Sequence, residues 1–294
     1  MKERNAEILL ASVIVARATS LLLSKLSMRT LGPFNLMGLR FTLAFLILVL
    51  LFFRRLRGVK LHTVLRGCAL GAAFFSVMAL ELNGLRLTDS STTTSFLENT
   101  AIVWVPLLEA ALHRKSPAGR TILSTGLTLL GVALLTLGGG RVHMGAGELL
   151  CLASSFLYAF AILLTARLSR EDEPLLMGIF QVGAIGALAL LFSAGLETPR
   201  LPQSGAEWGM IAALAVVCSC FGFTLQPVAQ RYVSAERAGM FCALNPLTAA
   251  LLGTLFLGER LGLWGLAGAG LILLGITVQN LHLPRRQKAL ARNG

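Results

Sequence analysis

Apolar positions in this 294-residue chain fall in long unbroken runs, not at every second position. Ten such runs stand between charged or Gly/Pro breaks, with cores at about 6–26, 34–53, 65–85, 91–112, 120–138, 148–167, 175–195, 207–226, 237–257 and 263–282. Crossing the hydrocarbon core of a bilayer takes about 20 residues of helix. Only helices and closed barrels satisfy the backbone there, and runs without strand alternation predict helices. Arg17 interrupts the first run and no small-residue cleavage site follows it, so it reads as a retained first span, not a cleaved signal.

Composition agrees. The chain is 55% apolar and 14% charged, with a mean hydropathy of +0.75, against about 45–50% and about 25% in soluble domains. Too few charges remain to cover a water-facing surface, which excludes a disordered chain, a nucleic-acid-binding domain and most soluble enzymes. The formal charge of +12 does not point to nucleic acid, because basic residues such as Arg54, Arg55, Arg57, Arg285 and Arg286 flank apolar runs. With a cytoplasmic N-terminus, 18 of the 26 basic residues face inward, six face outward and two lie inside spans. That bias predicts an inner (plasma) membrane protein with both termini cytoplasmic and an even number of crossings. The five cysteines lie in apolar runs and read as buried free thiols. The histidines sit singly at span ends, so neither a metal nor a cofactor is expected.

The chain also resembles itself. Leu22-Leu23-Ser24-Lys25-Leu26-Ser27 matches Leu164-Thr165-Ala166-Arg167-Leu168-Ser169, and Leu36-Met37-Gly38-Leu39 matches Leu176-Met177-Gly178-Ile179. Pro106 answers Pro246, and Leu129-Leu130-Gly131-Val132 answers Leu273-Leu274-Gly275-Ile276. The break between copies falls at Gly138-Gly139-Gly140. Residues 1–140 therefore form a first five-helix repeat, and 141–294 a second with a short basic cytoplasmic tail. An odd number of helices per copy inverts the second copy. The expected fold is an all-α integral membrane protein of ten transmembrane helices in two inverted repeats, as in many secondary transporters.

Several stretches carry a family resemblance: Leu31-Gly-Pro-Phe-Asn-Leu-Met-Gly-Leu-Arg-Phe41, Val105-Pro-Leu-Leu108 with Arg114-Lys-Ser-Pro117, Leu244-Asn-Pro-Leu-Thr248, and Leu257-Gly-Glu-Arg-Leu261 followed by Gly268 and Gly275. On these the chain resembles the drug/metabolite transporter superfamily in its ten-helix EamA-type branch, over about residues 8–282. The resemblance implies 5+5 inverted repeats, cytoplasmic termini and transport, often export, of small organic solutes. Arg17-Ala18 departs from the Trp-Gly pair common at that place in the family.

Charges inside spans locate the candidate chemistry, since each costs about 2.5–3.5 kcal/mol at mid-span. Arg17, Arg40, Glu81 and Glu98 are such charges, and Ser20 and Ser24 extend a polar stripe from Arg17. Ser91, Thr94, Ser95 and Glu98 share one helical face. In one reading these groups, with Asn99, line a cavity for a zwitterionic or anionic solute. In the other, the two arginines neutralise the two glutamates as structural pairs. Glu98, and after it Glu81, are the candidates for carrying a coupling proton, because burial favours a neutral carboxyl. Gln181, Gln226 and Asn245 are further polar candidates, and Trp104, Tyr158 and Phe180 are candidate apolar walls. Gln226-Pro227 and Asn245-Pro246 mark candidate bends.

The expected function is a secondary transporter, an exporter of a small organic metabolite such as an amino acid, acting by alternating access. Its partners are the solute, the lipid bilayer and protons as coupling ion. An exporter of lipophilic cations or drugs is the alternative; a membrane-embedded enzyme or a non-transporting sensor lacks any supporting motif, and no catalytic residue is expected.

Overall fold

The computed structural model describes residues 3–87, 96–114, 116–137, 145–257 and 262–280. Every regular element among them is helical. In chain order these are α1 (Glu3–Ser27), α2 (Pro33–Leu56), α3 (Leu61–Leu87), α4 (Ala101–His113), α5 (Gly119–Leu137), α6 (Ala146–Glu171) and α7 (Pro174–Leu196). They continue as α8 (Gly205–Gln230), α9 (Ala235–Phe241), α10 (Leu244–Leu257) and α11 (Leu263–Asn280). Among the described residues six helices are long and apolar enough to cross a membrane: α2, α3, α5, α6, α7 and α8. The 25-residue α1 has the length, but Arg17 and its serines and threonines lower its hydropathy. The glycine run 138–140, the start of the fourth predicted run and the basic tail lie outside the described residues.

Helix starts follow local chemistry. Pro33 and Pro174 open α2 and α7, where the missing N–H costs nothing and φ is already set. Ser204 and Ser234 cap α8 and α9 by accepting from the Glu207 and Arg237 amides. The ninth predicted run, 237–257, is not continuous: α9 ends at Phe241 and α10 begins at Leu244. Pro246 stands in the first turn of α10, a place that tolerates proline, and it cannot extend the ladder back across Cys242. Within α8, Leu214–Phe223 winds as a π-helix, ahead of Pro227.

The most extensive contacts join distant parts of the chain: α2 with α7, α3 with α6 and α7, α1 with α8, and α5 with α11. Glycines let backbones meet at these crossings, as small residues do between membrane helices. A Cβ at Gly71 would lie 2.8 Å from the Gln181 carbonyl, and one at Gly131 2.7 Å from the Gly268 carbonyl. The outer surface is apolar, with Leu50, Leu51, Leu191 and Leu263 all exposed. Such a surface suits lipid, where no water competes for apolar contacts. Among the described residues no disulfide joins the five cysteines. Cys68, expected to be buried, is exposed on α3, because its side of the helix faces outward while Gly67 faces α7.

Candidate functional site

Arg17 lies past the midpoint of α1, and its stem crosses α8 at Gly222, where a Cβ would sit 2.6 Å from its Cγ. Its Nη1 donates to Gln226 Oε1 at 2.6 Å and to Tyr158 Oη at 3.2 Å. The guanidinium carbon stands 4.2 Å from the Phe223 ring centroid, 5.4 Å from Tyr158 and 5.7 Å from Phe74. Phe41, Phe74, Phe223 and Tyr158 also pack edge to face on one another, so the rings hold a fixed shape.

Arg40 on α2 is 1% exposed. It donates to Ser24 Oγ at 3.3 Å and lies 4.0 Å from Met78 Sδ, while its Nε is buried without a partner. Among the described residues no ion pair within 4.0 Å joins Arg17 or Arg40 to Glu81 or Glu98. The close ion pairing of one of the two readings is thus not seen among the described residues. All four charges instead face one open space.

That space is a cavity of about 80 Å³, large enough to hold water. Arg17, Arg40, Glu81, Glu98, Asn99, Tyr158 and Asn245 line it. Glu98 Oε1 and Asn245 Oδ1 are buried without a hydrogen-bond partner. Buried polar atoms are nearly always paired; here Arg40 Nε, Glu98 Oε1 and Asn245 Oδ1, all on residues of one cavity, are not. Most of its lining comes from the later part of α1 and α3 and the earlier part of α2 and α6. The cavity is thus displaced toward the end of the bundle that holds Ser27, Pro33 and Ala146.

Seven of the eleven residues picked out in the sequence meet at this cavity, and Gln226 reaches it through Arg17. Trp104, Phe180 and Gln181 do not line it. Trp104 packs edge to face on Phe156, Phe180 abuts Gly67 of α3, and Gln181 is buried in the α3–α7 contact. The sequence reading missed Phe223, Ser154, Ser155 and Met78. For Ser154 and Ser155, which precede Tyr158 by four and three residues, helical spacing was the available signal.

Each end of the bundle carries its own polar network. At one end Arg237 of α9 pairs with Glu3 and with Glu7, the latter at 2.9 Å. There too Asp172 accepts from Thr63 at 2.8 Å and meets His62 at 3.2 Å and Arg66 at 3.3 Å. Burial alone would raise the Asp172 carboxyl, but the Thr63 hydroxyl, the Glu173 amide, His62 and Arg66 together hold it below the usual carboxylate range. At the other end Glu197, just past α7, accepts from the Phe34 and Asn35 amides at 3.0 and 2.8 Å and so caps α2. Beside it Arg200 pairs with Glu207 at 2.8 Å.

An all-helical multi-pass bundle, lipid-facing outside and charged around an inner cavity, has the form of a membrane transporter. The chain belongs to the EamA-like transporter family, whose sequence model matches residues 4–137 and again 145–281. It is 30% identical over 136 residues to the uncharacterized transporter YcbK of Bacillus subtilis, covering 45% of this chain and 44% of that protein. An uncharacterized transporter of Archaeoglobus fulgidus is 28% identical over 134 residues, covering 45% and 47%. The chain thus spans about half the length of these relatives. A longer match, to an uncharacterized transporter of the same archaeon, is 24% identical over 286 residues and covers 92% of this chain and 95% of that one. A solved crystal structure shares the fold at a TM-score of 0.80 and 17% identity, covering 98% of this chain and 100% of that one.

Proposed function

We propose that the protein is a secondary transporter that exports a small zwitterionic metabolite, of the amino-acid type, by alternating access. The observation that carries this reading is the convergence of unpaired polar groups of both signs on one membrane-buried cavity. A carboxylate suits the free face of Arg17 and the orphan Nε of Arg40; an ammonium suits Glu98. Glu98, with Glu81 beside it, is the carboxyl to carry a coupling proton.

The two moving bodies are residues 1–140 and 141–294, as ten spans in inverted repeats. Supporting this are the two separate family matches and the pairing of α2 with α7 and of α5 with α11, which in a 5+5 arrangement are equivalent helices. In this reading the Arg237 end and both termini face the cytoplasm and the protein sits in the inner membrane, an orientation that the excess of basic residues at that end supports. The cavity then lies toward the outer face, with the Arg237 clasp closing the inner one.

Purified protein in proteoliposomes, given a panel of labelled amino acids with and without a pH gradient, tests the proposal. Uptake that responds to the gradient, falls with Arg40→Gln and loses its gradient dependence with Glu98→Gln is the expected result. Absence of transport for every amino acid by folded protein overturns the substrate class, and transport indifferent to Glu98→Gln and Glu81→Gln overturns proton coupling. Export of lipophilic cations instead would appear as uptake of those cations alone.

A further inference from the structure

Three aromatic rings around one guanidinium form the kind of enclosure that recognises free organic cations, because each ring presents its negative face to the charge. Here the rings of Phe223, Tyr158 and Phe74 lie 4.2, 5.4 and 5.7 Å from the Arg17 guanidinium carbon. Gln226 Oε1 and Tyr158 Oη add two oxygens at 2.6 and 3.2 Å. Gln226 is 2% exposed, and its oxygen has no carboxylate character to compete for a proton. Rings and oxygens together fit a guanidinium, with Nη1 the nitrogen they hold, and they border the solute cavity, which Arg17, Tyr158 and Phe223 all line. No carboxylate lies within 4.0 Å of Arg17 among the described residues, so an ion pair does not account for its position. Gly222 does: only a residue without a Cβ lets the Arg17 stem pass over α8 to reach the rings.

We propose that Arg17 is a built-in cation filling an aromatic cage, and that its presence is what makes the cavity refuse organic cations. The same cage without the guanidinium is a binding site for a free cation of the guanidinium class. This rests on the cavity being the solute site and sets which solutes that site rejects.

Equilibrium binding of N-methylguanidinium to the full-length protein in lipid nanodiscs, followed by calorimetry, tests it. Wild-type protein is expected to show no saturable binding at millimolar ligand. Folded Arg17→Ala, monodisperse and fully helical, is expected to bind at least about tenfold more tightly than wild type. Adding Phe223→Leu to Arg17→Ala should weaken that binding again. Recovery of Arg17→Ala only when the cation is present during purification also supports the cage. Equal binding by wild type, or none by folded Arg17→Ala, overturns it. If Arg17→Ala is recovered under neither condition, Gly222→Ala supplies the answer, because it keeps the arginine but pushes its stem aside. Binding gained there supports the cage, and wild-type refusal there overturns it. The readout is independent of uptake: cation binding by Arg17→Ala alongside wild-type proteoliposomes that move no amino acid would sink the substrate proposal and leave the cage standing.

Discussion

Arg17 donates to Gln226 at 2.6 Å, across 209 positions of sequence. The bond joins α1 to the last turns of α8, next to the π-helical stretch, and it fixes the guanidinium at the cavity wall. A hydrogen bond to a charged group contributes about 1.5–3 kcal/mol, so this contact both holds the helices together and aims the cation.

Gln226→Leu should therefore lower stability by about 1.5–3 kcal/mol, seen as a lower Tm in nanodiscs. Transport should weaken mainly through KM, since the arginine remains but is no longer aimed. An unchanged Tm together with an unchanged KM would show that the contact matters to neither.

Glu197→Ala removes the acceptor for two amides at the start of α2. Loss of a cap of this kind costs about 0.5–2 kcal/mol, and the carboxylate also complements the helix dipole. Glu197→Gln, which keeps an acceptor without the charge, should fall between wild type and Glu197→Ala in thermal unfolding.

Asp172 gives stability a pH dependence with a definite sign. Its folded carboxyl titrates below its unfolded value of about 3.9. Its contribution is therefore fully present above that value and is lost as pH falls through the folded pKa. Tm measured from pH 6 to pH 3 should drop less steeply at the acid end for Asp172→Asn than for wild type, and the two should differ most above pH 5.

Arg237→Ala releases the clasp that ties the starts of α1 and α9 through Glu3 and Glu7. Cys242, buried one turn further along and 3.6 Å from Tyr158, should then react severalfold faster with maleimide. The measurement uses a background in which the other four cysteines are replaced.

Much of the bundle was legible in the sequence because lipid leaves so few options: long apolar runs had to be helices, and charges inside them had to converge. Arg17, Arg40, Glu81 and Glu98 stood out as anomalies and indeed share one cavity. Phe223 did not, because an aromatic in an apolar run is unremarkable until the phase of its helix is known. In α8 that phase is altered by the π-helical turns, which no periodicity of 3.6 anticipates. Trp104 and Phe180 misled for the same reason: their chemistry was readable, their direction was not. The break in the ninth run was foreshadowed by Asn245-Pro246, although the chain parts just before it.

The glutamate that finishes the start of α2 lies more than 160 residues downstream, and α2, α3 and α5 find their broadest contacts in the latter part of the chain. A ribosome that has made only the first 137 residues has thus threaded helices whose mates do not yet exist. Native assembly must wait until synthesis is nearly over, and until then the early helices depend on the surrounding bilayer, or on an insertion chaperone, to shield them.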